Sequence, residues 1–346
     1  MVGFDGQAAP AELLARVRAG HVGGAILFAR NVGAPEQVAD LNAALRGAAP
    51  PDAPLLTCVD QEGGRVQRVR APATEWPPMA ALAQLPPAVA GQVGRALGAE
   101  LAALGFALDF APVLDVHTNP QNPVIGDRAL GTDPAAVAAR GSALLRGLHD
   151  AGVGSCGKHF PGHGDTITDS HLDLPVVAHV EARLRGVELV PFARAVADGV
   201  PMIMTAHVVF PALDPDVPAT MSPRVLGLLR RDLGFDGVIV SDDLEMKAVA
   251  DRYGIEELVV AALRAGCDAF LVCHRADLQE RAREALVHAA ERDADTRARL
   301  AEAAARLAVL RRRFAGARYV PPADLRAHLG SAPHRALAAQ LAAAPR

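Results

Sequence analysis

The chain is poor in the features that mark several common classes of protein. It has no uninterrupted apolar run of about 18 residues, the length a membrane-spanning helix needs. Its first residues, MVGFDG, lack the basic start, apolar middle and small-residue cleavage site of a secretory signal. The expectation is therefore a cytoplasmic protein with no membrane partner. Positive charge is not in surplus either: 35 Lys and Arg stand against 39 Asp and Glu, for a net charge of −4. That balance offers no general hold on a nucleic-acid backbone, so nucleic acid is not an expected partner. There are four cysteines and no Cys-x-x-Cys pair. Cys58, Cys156, Cys267 and Cys273 all fall in or beside apolar runs and read as reduced core residues. No Gly-x-Gly-x-x-Gly follows the early strands and no P-loop occurs, which removes the main sequence support for a nucleotide cofactor. No His-Glu-x-x-His helix and no early His-x-His is present, so no spacing compels a metal.

What the chain does have is apolar material, 51% of its residues, enough for a large core. Short apolar runs recur at Met1-Phe4, Gly24-Phe28, Leu55-Val59, Ala107-Leu114, Val153-Gly157, Met202-Thr205, Gly237-Val240 and Ala269-Cys273. Segments of helical periodicity separate most of them, among them Pro35-Arg46, Ala88-Leu104, Pro134-Ala151, Val180-Asp198, Pro223-Leu233 and Ile255-Ala265. Alternating strands and helices favour parallel pairing. Asp60, Asp115, Lys158 with His159, His207, Asp242 and His274 each stand at or just beyond an apolar run. Polar residues at so many strand ends suit a closed barrel, since an open sheet concentrates its chemistry at one switch point. The expected fold is a single-domain (β/α)8 TIM barrel over residues 1–315, with 316–346 a C-terminal tail packing on or extending from it. The first candidate strand begins at Met1, with nothing before it to plug the barrel bottom, so the start of the chain reads as trimmed or mis-started.

The densest polar stretch is KHFPGHGDTITDSH, residues 158–171. A lysine at a strand end is costly to bury without partners, so Lys158 and His159 read as substrate-binding residues. Gly162 and Gly164 imply unusual backbone angles or a close approach, in a loop free to move over a ligand. In Asp169-Ser-His171 a carboxylate lies two residues from an imidazole, near enough to orient it and tune its proton affinity; the alternative is an ordinary turn-rich loop. Asp242, in Gly-Val-Ile-Val-Ser-Asp-Asp, is either a nucleophile aimed into the barrel mouth or the cap of the next helix. Asp243 reads mainly as a capping or local hydrogen-bonding residue. Asp60 with Arg65 and Arg68 supplies a carboxylate and guanidinium groups suited to gripping hydroxyls. Arg128 is the best pocket candidate in the Pro- and Asn-rich loop 119–128. A rival reading assembles His159, His163, His171, His207 and His274 into a metal site.

Taken together, LLTCVDQEGGRVQR, FAPVLDVHTNPQNPVIGDRALG, KHFPGHGDTITDSH and GFDGVIVSDDLEM resemble the glycoside hydrolase family 3 β-N-acetylglucosaminidases, including those of bacterial cell-wall recycling. The resemblance runs from Met1 to about Arg275 and implies a (β/α)8 barrel, retention of anomeric configuration, and no metal or organic cofactor. Position by position it implies Asp242 as nucleophile, His171 as acid/base and Asp169 as its dyad partner. Asp60, Arg68, Arg128, Lys158 and His159 match positions that hold the sugar's hydroxyls and 2-acetamido region, and His207 matches a recurrent strand-end histidine. Many members carry a second α/β domain; this chain resembles the single-domain type, whose loop supplies the acid/base. The implied partner is a carbohydrate, a GlcNAc-containing muropeptide or chitooligosaccharide. An uncharged imidazole base would also let phosphate compete with water for the intermediate. Two other readings stay open: a metal-dependent amide or ester hydrolase on the same barrel, and a non-catalytic sugar-binding protein.

Overall fold

The computed structural model describes residues 1–168, 170, 173–316 and 322–344. Seven strands form one parallel sheet: β1 (Gly24–Leu27), β2 (Leu56–Val59), β5 (Leu108–Asp109), β6 (Gly154–Phe160), β7 (Met202–Thr205), β8 (Val238–Asp243) and β9 (Ala269–Leu271). A short antiparallel hairpin, β3 (Gln61–Gly63) and β4 (Val66–Gln67), follows β2. The sheet closes through Val2, which bridges in parallel to both Ala25 of β1 and Val272 beyond β9. With that segment as the eighth staff, the chain is a (β/α)8 barrel. All eight apolar runs supply staves, because strands buried on both faces need no alternation of polar and apolar residues.

Ladder lengths differ from the runs. Only Leu108–Asp109 of the fourth run pairs regularly, since Pro112 has no amide to donate and pairing resumes as an isolated bridge from Val113 to Lys158. Conversely β6 runs on through Lys158 and His159 to Phe160, and β8 through Asp242 to Asp243, each with a register shift at its polar end. Lys158, His159 and Asp242 thus sit on strand ends rather than on the loops after them.

Helices wrap the outside: α1 (Ala11–Arg18), α2 (Pro35–Gly47), α3 (Pro87–Ala103), α4 (Pro134–Asp150), α5 (Glu181–Gly186), α6 (Val190–Ala197), α7 (Pro223–Gly227), α8 (Lys247–Ala250) and α9 (Ile255–Ala265). Then come α10 (Ala276–Arg292), α11 (Ala294–Phe314), α12 (Pro322–Leu325) and α13 (Ala332–Ala342). In α9 the apolar stripe Ile255, Leu258, Val259, Ala262 and Leu263 is buried at helical spacing, and Gly266, with φ of 132°, ends the helix where a side chain would be strained. The span 180–198 is two helices, because buried Glu188 and Pro191 interrupt it. Barrel-interior residues such as Ile26, Cys58, Phe110, Met202 and Val240 form one core that also takes in Leu310 and Phe314 of α11. The bottom of the barrel is therefore plugged by α11. All four cysteines are buried and unpaired. Among the described residues no helix is long and apolar enough to cross a membrane.

At the chain's far end, Glu100 of α3 accepts hydrogen bonds from Thr74 N and Oγ1, Gly330 N and, at 2.8 Å, pairs with His334 Nδ1 of α13. One buried carboxylate thus joins α13 to the barrel and to the segment after β4.

Candidate active site

At the C-terminal ends of the strands lies a cavity of about 340 Å³, within the size range of small-ligand sites. Four of the five binding residues expected from the sequence meet there with a group the sequence did not single out, Glu62. Lys158 Nζ donates to Asp60 Oδ1 at 2.8 Å and lies 2.5 Å from Glu62 Oε1. Arg128 grips Glu62 in a fork, Nε to Oε2 at 2.8 Å and Nη2 to Oε1 at 2.9 Å. His159 Nε2 is 3.5 Å from the same guanidinium. Burial by itself would raise the Glu62 carboxyl, but Arg128 and Lys158 outweigh it and hold it well below the usual carboxylate range. Burial likewise opposes the Lys158 charge, and Asp60 and Glu62 outweigh it, so the ammonium is held above its ordinary value. The floor is thus a fixed array of charges at neutral pH.

Local sequence explains how these side chains arrive together. Gly63 and Gly64, with φ of 101° and 57°, make the hairpin turn that folds β3 back over the barrel mouth. Gln61 fastens it: its amide donates to Asp109 Oδ1 at 2.9 Å, and its Oε1 accepts from Arg68 N and Val69 N. Arg68, the fifth expected residue, lines the cavity 3.6 Å from Asp60 Oδ2, with its Nε buried and unpartnered among the described residues. Arg65 turns the other way, to the Val124 carbonyl and Asp127.

Asp115, wholly buried, organises the opposite edge. It pairs with His159 Nδ1 at 2.7 Å and accepts from His159 N at 3.1 Å and His163 N at 2.7 Å. Burial raises its carboxyl, and His159 more than offsets that, leaving it below its ordinary value. The His163 ring lies 2.8 Å from Thr166 Oγ1 and 3.0 Å from Ser170 Oγ, and burial lowers its pKa to about 4. Gly162, with φ of 141°, and Gly164, where an added Cβ would sit 1.9 Å from the Val116 carbonyl oxygen, let the chain pass this crowded corner. Ser170 lines the cavity; its neighbours Asp169 and His171 lie outside the described residues.

Asp242 lines the same cavity as Lys158. Its Oδ1 accepts from Asp243 N at 2.8 Å, and the next helix, α8, begins only at Lys247, so it caps no helix. Burial would raise its carboxyl, but the imidazoles of His159 and His207, the Asp243 amide and Lys158 together hold it below the usual range. A carboxylate ionised at neutral pH, in a pocket of hydroxyl-gripping groups, can attack an electrophilic carbon. Asp243 Oδ1 accepts from Glu245 N and Cys273 N, and burial pushes this carboxyl up to about 7. His207 is buried behind the strand end, between Thr220 Oγ1 and the Asp243 carbonyl. His274 stacks on Phe28 and faces Asp243 at 3.3 Å. The imidazoles therefore scatter onto separate partners, and among the described residues no group of three or more His, Cys, Asp or Glu is arranged to hold a metal ion.

The residues that sequence reasoning missed are Glu62 and, as a site residue, Asp115. Glu62 sits two positions from Asp60 and had no signal beyond its place in the Gly-rich hairpin. Asp115 had the strand-end signal but nothing to name its partners.

Comparison with known proteins places this geometry. The family described as glycosyl hydrolase family 3 N terminal domain matches residues 2–310. A β-hexosaminidase of Stenotrophomonas maltophilia is 45% identical over 261 residues, 73% of this chain and 76% of that protein. A β-N-acetylglucosaminidase of family 3 from Paenibacillus superposes with a TM-score of 0.90 at 41% identity, over 99% of this chain and 66% of that longer one. NagZ from Neisseria gonorrhoeae, solved with N-trifluoroacetyl-D-glucosamine, superposes with a TM-score of 0.81 at 34% identity, over 99% of this chain and 96% of that one. On these matches, and with this cavity at the strand ends, the chain belongs to glycosyl hydrolase family 3 and is a glycoside hydrolase.

Proposed function

We propose that this enzyme is a retaining exo-β-N-acetylglucosaminidase that removes a non-reducing terminal β-linked GlcNAc from peptidoglycan fragments. The observation that carries the reading is Asp242: an ionised carboxylate at a strand end, lining a sugar-sized cavity together with Lys158 and Asp60. The hexosaminidase names of its relatives support the choice of sugar.

In the proposed reaction the terminal sugar sits with its hydroxyls on Asp60, Lys158, Arg128 and His159, whose mutual contacts already fix their positions. Arg68 lines the same cavity beside Asp60. Asp242 attacks C1 as the bond to the leaving oxygen breaks, giving a covalent glycosyl ester with inverted configuration. His171, oriented by Asp169, gives its proton to that oxygen. Neutral His171 then takes a proton from water, whose oxygen attacks C1 and releases Asp242, inverting again to net retention. An imidazole thus fills the role that a second carboxyl fills in most retaining glycosidases.

The reading is tested by hydrolysis of 4-nitrophenyl β-glycosides of N-acetylglucosamine and glucose, with Asp242→Ala and His171→Ala beside the wild type. The expected result is a preference for the N-acetylglucosaminide and loss of turnover in Asp242→Ala. His171→Ala should lose about 10²–10⁴-fold on a disaccharide but less on the activated aryl glycoside, which needs little acid help. Equal loss on both would remove His171 from the acid/base role.

A further inference from the structure

The chain holds 35 basic residues other than histidine, and only two of them are lysines, Lys158 and Lys247. Both line the active-site cavity. Their surroundings are opposite. Lys158 is 2% exposed and locked between Asp60 and Glu62. Lys247 is exposed, at the first position of α8, and no carboxylate among the described residues pairs with it. Most of the arginines that reach carboxylates do so in forked or close pairs, as Arg128, Arg281 and Arg326 do. An arginine fork suits such fixed protein pairs, whereas an ammonium on a flexible stem is a mobile point charge suited to a ligand at a rim.

Its place on that rim is defined. The next residue, Ala248, donates its amide to the Ser170 carbonyl at 3.3 Å, so Lys247 stands beside Ser170. It follows Asp242 by five positions, and both residues line the cavity. On the reading above, the residue after Ser170 in the chain, His171, protonates the glycosidic oxygen, and the leaving group is assigned to this side of the cavity on that ground. The cavity's carboxylates are Asp60, Glu62, Asp242, Asp243 and Glu245; its guanidinium groups, Arg68 and Arg128, lie against Asp60 and Glu62, and Glu245 is spent on the amides of His274 and Arg275. An anionic leaving group would meet repulsion there unless a free cation received it.

We infer that Lys247 is a specificity residue that meets a carboxylate on the aglycone, the sugar or sugar-peptide released from GlcNAc. The inference rests on the glycosidase reading above and deepens it by naming the charge of the leaving half. A lactyl ether or peptide carboxylate supplies that charge; a neutral chitooligosaccharide does not.

The test compares kcat/KM for GlcNAc linked β-1,4 to a muramic acid residue with that for neutral N,N′-diacetylchitobiose, in wild type, Lys247→Gln and Lys247→Arg. Lys247→Gln should lower the anionic-to-neutral ratio about fivefold, mainly through KM, as suits an exposed ion pair. Lys247→Arg should keep most of the ratio, and salt should erode it in wild type but not in Lys247→Gln. An unchanged ratio in Lys247→Gln, or equal losses on both substrates, overturns the role of Lys247 while leaving the glycosidase reading intact. A wild type that cleaves neither these substrates nor the aryl N-acetylglucosaminide overturns the glycosidase reading and this inference with it.

Discussion

At the N-terminal end of the barrel Asp268, just before β9 and with no exposed side-chain surface, accepts from Arg299 at 2.6 Å and Arg306 at 3.2 Å, while Arg230 contacts its other oxygen. At the C-terminal end Glu62, almost as buried, is held by Lys158 and Arg128. Both are single carboxylates gathering several cations, yet their surroundings separate them. The cations on Asp268 come from α11 and from the irregular turn 228–232 outside the barrel, and they tie the outer layer to the strands. The cations on Glu62 line the cavity at the strand ends, where the proposed sugar would meet them. The difference teaches that a buried ion cluster is read as structural or functional from what it borders, not from its composition.

The comparison breaks most sharply if Asp268 is neutralised. Asp268→Asn leaves three guanidinium groups without their common anion and should cost about 3–5 kcal/mol in urea unfolding, while KM of the folded enzyme holds. A changed KM with unchanged stability would reverse the assignment of the two ends. Lys158→Met should do the opposite in kind: kcat/KM falls about 10- to 100-fold from lost charged hydrogen bonds, with a smaller stability loss because Arg128 still holds Glu62.

A finer distinction lies in the histidine at the pocket's edge. His163 is held neutral, with its pKa near 4 in the folded chain against an ordinary 6.5. Its contribution to stability is therefore complete above pH 6.5 and is lost as pH falls toward 4, when the unfolded chain binds the proton that the fold refuses. Denaturation from pH 7.5 to 4.5 should show a loss of about 3 kcal/mol or less that is absent in His163→Gln. A companion effect of opposite sign concerns Asp243, whose folded pKa near 7 lies above its ordinary value of 3.8. Here the fold keeps a proton that the unfolded chain releases, so this contribution is full below pH 3.8 and declines as pH rises through 7. Asp243→Asn should remove that decline, together with any inflection of kcat near pH 7.

Much of the fold was legible because a parallel barrel writes each stave as a short apolar run and each active strand end as a polar residue. Asp60, Lys158 and Asp242 were found that way. The break at Glu188 and Pro191 was not, since helical periodicity continues across it and only burial of the glutamate reveals the corner. Nor was the plug: the C-terminal turn of α11 carries Leu310 and Phe314 in an ordinary amphipathic pattern, and nothing local says that they enter the barrel. Arg65 and Arg68 are alike in sequence, three residues apart beyond Asp60. The hairpin turn at Gly63 and Gly64, and Gln61 bonding behind it, direct one to the cavity and the other to the loop at Val124.

The sequence by itself determined which residue types stand at the strand ends, because burial on both faces forces an apolar strand and leaves polarity only where it ends. Four motifs in order determined the family. Tertiary structure alone decided partnership: that Glu62 rather than Asp60 anchors Arg128, that Asp115 orients His159, that Val2 closes the ring, and that one lysine is locked while the other pairs with no carboxylate among the described residues. Such choices depend on distances between segments far apart in the chain, and only the closed barrel sets those distances.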